Sequence, residues 1–172
     1  MNTTCVFETE LGWVALARVD VGASHLLMGH SSERAVRSAL KQRLVSSIEQ
    51  FTESPHDELA DLISAYARGE PVSFANIPLA LPTMTPFRKA IVSNLRRIPY
   101  GTTISYGELA RQAGRPRAAR AVGQAMACNT LPLLIPCHRV IAARGRLGGF
   151  SAPTGVALKE RLLALEGVTA AR

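Results

Sequence analysis

Apolar positions along this chain change their period from one stretch to the next, and each change marks a new kind of element. Residues 5–9 and 13–20 are short runs rich in apolar and β-branched side chains, separated by Leu11-Gly12, and Val21-Gly22-Ala23 turns the chain into residues 26–28. These runs predict three short strands. Ser32 is placed to cap a helix reaching about Ile48, because Val36, Leu40, Leu44 and Ile48 share one face. A second helix is predicted over residues 57–68, where Leu59, Leu62, Ile63 and Tyr66 fall at i, i+3, i+4 and i+7 and Gly69 follows as a stop. Residues 70–82 hold three prolines and no helical period, so they read as a connector.

Beyond the connector the pattern is helical. Thr85-Pro86 opens a third helix with proline at its first position, where a missing N–H does no harm, and Phe87, Ile91 and Leu95 form the expected buried stripe. Ser105 and Glu108 have capping-box spacing at the head of a short helix that stops at Gly114. Pro116 restarts a helix expected from Arg117 to about Cys128. Two short helices around a glycine-containing turn suggest a helix-turn-helix. The predicted fold class is α+β. A small N-terminal α/β domain with a short antiparallel sheet, connector included, occupies residues 1–82. A mostly helical, winged helix-turn-helix-like domain occupies residues 83–172.

Composition narrows the class. Hydrophobic residues make up 47% and charged residues 19% of the 172, which is globular rather than disordered. No apolar run approaches the ~20 residues that span a bilayer, and the first residues lack a basic and apolar leader, so no membrane partner and a cytoplasmic or nuclear compartment are expected. Cys5, Cys128 and Cys137 are too widely spaced for a CxxC pair and read as reduced thiols. The net charge of +7 is unevenly spread. Residues 1–82 hold six Lys/Arg and ten Asp/Glu, whereas residues 83–172 hold fourteen and three. That field suggests a polyanion for the second half.

The second helix of the pair sharpens this. It carries Ala118, Ala119, Ala121, Gly123, Ala125 and Ala127, so it is smooth, and few of its side chains could read base edges in a major groove. Arg117, Arg120 and Gln124, at i, i+3 and i+7, are expected on one face. A tightly packed core helix explains the small residues equally well. The basic charge of this half favours close, sequence-indifferent approach to DNA, in the shallow minor groove.

Residues 131–135 form an apolar run that delivers Pro136-Cys137-His138-Arg139-Val140. A nearby His or Arg lowers a thiol's pKa and favours the nucleophilic thiolate. Adjacency alone proves nothing, because neighbours on a strand point to opposite faces. Cys137 and His138 can cooperate only if the backbone turns or a water bridges them, and an arbitrary buried cysteine is more often inert packing.

The segment Pro136–Val140 resembles the active-site signature of the O6-alkylguanine-DNA alkyltransferases, the methylated-DNA–protein-cysteine methyltransferases. The resemblance covers about residues 83–168. It takes in residues 104–110 (ISYGELA), residues 118–123 (AARAVG), Asn129, the proline-cysteine segment, and residues 148–151 (GGFS) before a last helix ending at Glu166. Residues 1–82 match only in pattern. The resemblance implies direct-reversal DNA repair: irreversible, single-turnover transfer of an alkyl group from O6 of guanine, and O4 of thymine, to Cys137 after the base is flipped from the duplex.

It also implies roles. Cys137 accepts the alkyl group, His138 takes its proton through a water, Glu166 orients His138, and Asn129 braces the turn before the cysteine. Arg120 fills the gap left by the flipped nucleotide, on a helix whose Ala119 and Gly123 approach the DNA. Tyr106 crowds the backbone and donates to guanine N3. The carbonyls of Cys137 and Val140 accept from the guanine amine, and the Ser151 N–H meets O6. The implied partner is double-stranded DNA bound in the minor groove with little sequence specificity by a monomer, cooperativity left open. No cofactor is implied. Some relatives bind zinc through two Cys and two His near the N-terminus; here Cys5, His25 and His30 have no second early Cys beside them, so no metal is expected. Thr130 stands where the family usually has proline, which predicts a looser turn.

The chemistry is coherent by itself. Extruding a base costs a few kcal/mol, and displacement at a saturated carbon needs a soft nucleophile and a leaving group neutralised as it departs. Rival readings are a lesion-binding relative without an acceptor cysteine, which Cys137 opposes, a sequence-specific helix-turn-helix regulator, which the alanine-rich helix opposes, and a Cys-His hydrolase, for which no oxyanion hole is suggested.

Overall fold

The computed structural model describes residues 2–44 and 50–169. They form two compact units, residues 1–72 with 76–80 and residues 73–75 with 81–172.

The N-terminal unit is a sheet with helices. Strands β1 (Thr3–Thr9), β2 (Gly12–Val19) and β3 (Gly22–His30) pair antiparallel in sequence order. A two-residue strand, β4 (Thr52–Glu53), adds to β1 in parallel. The sheet order is β3-β2-β1-β4. The third strand is longer than its three-residue apolar core predicts, because the neighbouring strand continues to pair with it, and β4 carries no apolar signal at all. Val14, Ala15, Leu16 and Ala17 in β2 are all buried, so both faces of the central strand are covered. Helix α1 (Glu33–Arg43) starts at Ser32, whose side chain accepts from the Ala35 N–H, and it packs Val36 and Leu40, with Leu44, against Ala15 and Ala17. The predicted continuation of that stripe to Ile48 lies outside the described residues. Helix α2 (Glu58–Ala67) is capped by Asp57 and buries Leu59, Ile63 and Tyr66. Leu62, expected on that face, is 37% exposed. Three apolar positions filled the available contact, and the fourth turned to solvent.

The connector is irregular but not loose. Pro78 accepts from the Ala23 N–H and Ala80 donates back to the Ala23 carbonyl, which laces it to the start of β3. Gly22 makes this approach possible: a Cβ there would stand 2.4 Å from the Pro78 carbonyl oxygen.

The C-terminal unit contains α3 (Pro86–Arg96), α4 (Tyr106–Gln112), α5 (Ala119–Ala127) and α6 (Val156–Leu165). A parallel pair of two-residue strands, β5 (Ile104–Ser105) and β6 (Val140–Ile141), ties α4 to the cysteine segment. Thr85 caps α3 and Pro86 is its first residue. Ile91 and Leu95 are buried, whereas Phe87 is only partly so, because it lies in the first turn with the Arg115 guanidinium 4.9 Å over its ring. Ser105 caps α4 through the Glu108 N–H. Glu108 does not return the bond as the capping box predicts; its carboxylate is taken by Arg111 and Gln112. Helix α5 begins at Ala119, so Arg117 lies in the turn before it and only Arg120 and Gln124 share an exposed helical face.

Among the described residues no helix is long and apolar enough to cross a membrane.

Candidate active site

Residues 131–135 do not form a strand. Asn129, immediately after α5, accepts the Leu131 N–H at its Oδ1 (3.0 Å), closing a turn over Thr130. Its Nδ2 donates to the Ile135 carbonyl (2.9 Å) and to Cys137 Sγ (3.1 Å). Leu133 inside this turn adopts φ +68°, a left-handed conformation seldom used by leucine. Residues Cys137–Arg139 then make one turn of 3₁₀ helix. The backbone therefore turns at the cysteine, which is the condition that lets successive side chains be directed into one site.

His138 is fully buried, and its Nε2 lies 2.8 Å from Glu166 Oε1. A carboxylate only accepts, so Nε2 carries the hydrogen and the lone pair sits on Nδ1. Glu166, at the C-cap of α6, also accepts from Arg139 Nε and Nη2 and from the Gly101 N–H. Arg139 donates further to the Ile98 carbonyl (2.7 Å). A carboxylate held by an arginine and these N–H groups stays ionised. Burial lowers the pKa of His138 against the opposing pull of Glu166, so the resting imidazole is neutral.

Cys137 is 7% exposed. Burial raises its pKa, and the Asn129 hydrogen bond and the Lys159 charge pull it back only in part. The sequence points to His138 or Arg139 as the group that lowers the thiol's pKa; the cation that does so is Lys159 instead, and desolvation outweighs it. The resting form is a thiol, which must lose its proton before the sulfur can act as a nucleophile.

Lys159 escapes sequence reasoning. Its amine is buried, donates to the Val140 carbonyl at 2.5 Å, and lies 5.8 Å from the centre of the Tyr106 ring. Burial brings its pKa down to about 8, against the stabilising charge of Cys137. The available signal was its register: Lys159 precedes Leu162 and Leu163 by three and four residues, on the stripe that α6 buries.

Cys137 opens on a cavity of about 230 Å³ lined by Tyr106, Gly123, Met126, Ala127, Gly149, Phe150 and Ser151. Tyr106 is half-buried with its pKa raised by burial and then by Cys137, so its hydroxyl is a donor at neutral pH. Gly148 packs on that ring: it has φ +69°, and a Cβ would come within 3.1 Å of the Tyr106 ring and hydroxyl. The site thus gathers Cys137, His138, Glu166, Asn129, Tyr106, Gly123 and Ser151. Val140, expected in the substrate pocket, is buried and absent from the cavity lining; its carbonyl accepts from Lys159 and keeps a second lone pair. Ala119 and the exposed Arg120 lie at the start of α5, outside the cavity lining. Among the described residues no three His, Cys, Asp or Glu side chains are grouped to hold a metal ion.

Known proteins resemble this arrangement along most of the chain. Residues 86–168 match the family described as "6-O-methylguanine DNA methyltransferase, DNA binding domain". A methylated-DNA–protein-cysteine methyltransferase of Methanosarcina acetivorans is 36% identical over 94% of this chain and 96% of its own length. A protein of the same name from Mycobacterium tuberculosis is 40% identical over 81% of this chain and 84% of its own. Among solved structures, Mycobacterium tuberculosis OGT in complex with DNA superposes with a TM-score of 0.77 at 33% identity, over 96% of this chain and 93% of that one.

Proposed function

The chain belongs to the methylated-DNA–protein-cysteine methyltransferases, DNA-binding proteins that reverse alkylation damage directly, and from that premise we propose that Cys137 is its alkyl acceptor. The observation that carries this reading is the sulfur itself: Cys137 lines a cavity together with Tyr106 and Ser151, and Asn129 fixes its Sγ at 3.1 Å.

The reaction runs as a displacement at carbon. His138, whose Nε2–H bond to Glu166 leaves the acceptor lone pair on Nδ1, takes the Cys137 proton through a water. The thiolate sulfur attacks the alkyl carbon, the carbon–O6 bond breaks, and its electron pair remains on guanine. Tyr106 gives its phenolic proton to N3, which leaves guanine neutral, the Ser151 N–H meets O6, and the proton held by His138 returns through solvent to restore the phenol. Lys159 offsets the thiolate charge while it lasts. Arg139 balances Glu166, so the buried anion does not trap the proton that His138 receives. A thioether is not hydrolysed in water, so each molecule reacts once. O4-alkylthymine presents the same saturated carbon and is a second substrate.

Residues 83–172 carry DNA binding in this reading. The smooth face of α5, with Ala119 and Gly123, lies against the minor groove of duplex DNA, and Arg120 enters the stack in place of the flipped nucleotide. Binding is by a monomer, depends weakly on sequence and falls with salt. The three cysteines are free thiols, which suits a reducing cytoplasm.

Intact-mass spectrometry after incubation with a duplex containing O6-methylguanine tests the assignment. One methyl per chain, mapped to the peptide holding Cys137, is expected; an unmodified chain with a free Cys137 thiol overturns it.

A further inference from the structure

Met126 lines two cavities at once. On one side is the space in front of Cys137. On the other is a smaller cavity of about 40 Å³, lined by Leu81, Met84, Val92, Ala125, Ile135 and others, with Arg88 donating to the Cys128 carbonyl at its rim. Among the lining residues of these two cavities Met126 alone is shared, so it is the wall between them. It is half-buried near the end of α5, and its neighbours on the small-cavity side are mostly apolar.

The sizes matter. The cavity before Cys137 is smaller than the ~300–1,000 Å³ of sites that enclose drug-sized ligands. A nucleobase with a large O6 substituent needs a wall that yields. Packed walls resist, because adding volume to them strains rotamers and backbone. Methionine is the exception: three rotatable bonds and a polarisable thioether let it refill an irregular gap. The 40 Å³ behind it is roughly three times what one water needs, at ~10–15 Å³, and its apolar lining suits a thioether end.

We propose that Met126 is a specificity-determining gate, swinging its thioether into the cavity lined by Val92 and Ile135 so that O6 adducts larger than methyl reach Cys137. This rests on the alkyl-transfer assignment above and deepens it. The bond changes are those of methyl transfer: carbon–O6 breaks, sulfur–carbon forms, and the thiol proton is taken up by His138. Only the space available to the transferred group's carbon skeleton differs.

The test compares single-turnover transfer from duplexes containing O6-methylguanine and O6-benzylguanine, using the full chain. Val92 lines the small cavity and not the reactive one. Val92→Phe fills the refuge, and benzyl transfer should fall at least about tenfold, within the range one or two methylenes are worth in a pocket, while methyl transfer stays within about twofold. Val92→Ala enlarges the refuge and should raise the benzyl-to-methyl ratio, which keeps the test decisive if the phenylalanine variant folds poorly. Met126→Ala should raise that ratio further and make it insensitive to Val92. An unchanged ratio in both Val92 variants overturns the gate. Loss of methyl transfer in the unaltered chain would instead overturn the alkyltransferase assignment on which the gate depends.

Discussion

Each unit of the molecule buries a cysteine, and their surroundings differ in kind. Cys5 sits in β1 opposite Leu16, where burial raises its pKa and the nearby Asp57, Glu53 and Asp61 raise it further, with Arg37 as a smaller opposing charge. Cys137 is buried as deeply, but Asn129 and Lys159 work against the burial. The contrast extends to the cores. Among the described residues, every buried imidazole or charged side chain (His138, Arg139, Lys159 and Glu166) belongs to the C-terminal unit. The N-terminal core is apolar apart from the Tyr66 hydroxyl. Burying ion pairs seldom gains stability over well-packed apolar side chains, so their concentration under one thiol marks where the fold gives up stability for chemistry.

The sharpest way to break that contrast is to remove the sulfur. Cys137→Ala should abolish alkyl transfer, read by mass spectrometry, while affinity for duplex DNA measured by fluorescence anisotropy changes little; transfer surviving in this variant would refute the comparison at its root. Glu166→Gln comes next. It leaves Arg139 buried without its anion and His138 with a neutral acceptor in place of a carboxylate, so transfer should drop at least about a hundredfold and stability by about 3–5 kcal/mol. Leu16→Ala in the N-terminal core should lower stability comparably, about 2–5 kcal/mol, yet leave the rate per folded molecule unchanged, which urea titration and single-turnover kinetics together distinguish.

Arg120→Ala should slow repair of duplex lesions about tenfold or more and leave reaction with free O6-benzylguanine nearly intact. Equal slowing of both would remove its role in flipping. Lys159→Met should act in two directions. The Lys159 pKa of about 8 lies below its ordinary 10.5. Below pH 8 the folded state therefore bears the whole penalty of a buried charge. Between about 8 and 10.5 the unfolded chain holds more protons, and that penalty fades as pH rises. The substitution should raise Tm at pH 7 by at least about 2 °C, with the gain vanishing towards pH 10.5, and should move the alkaline rise in transfer rate to higher pH, because the thiol loses a cation that favours its ionisation. Cys5→Ala, the smallest expected effect, should leave transfer untouched.

What could be read before the fold was known follows a physical divide. Ser32, Thr85 and Ser105 act within a few residues of themselves, and all three stand at the heads of the helices predicted after them; Asp57, read as the first residue of the second helix, is its cap. Glu108 had the right spacing too, but Arg111 and Gln112 compete for its carboxylate, and a local rule carries no information about competitors. Leu62 and Phe87 fit their helical periods and still face solvent or a cation, since a period fixes a face and not what covers it. Residues 136–140 were legible because their resemblance is so specific. Lys159 and Met126 were not: one acts through a carbonyl nineteen residues away in sequence, the other through an empty space.

Asn129 has a mechanical consequence. Its side-chain amide, one residue past the C-cap of α5, holds the Leu131 N–H, the Ile135 carbonyl and the Cys137 sulfur together, so the helix proposed to seat on the duplex and the sulfur proposed to accept the alkyl group form a single lever. Any tilt imposed on α5 is delivered to Cys137 as displacement, and aim is set by seating.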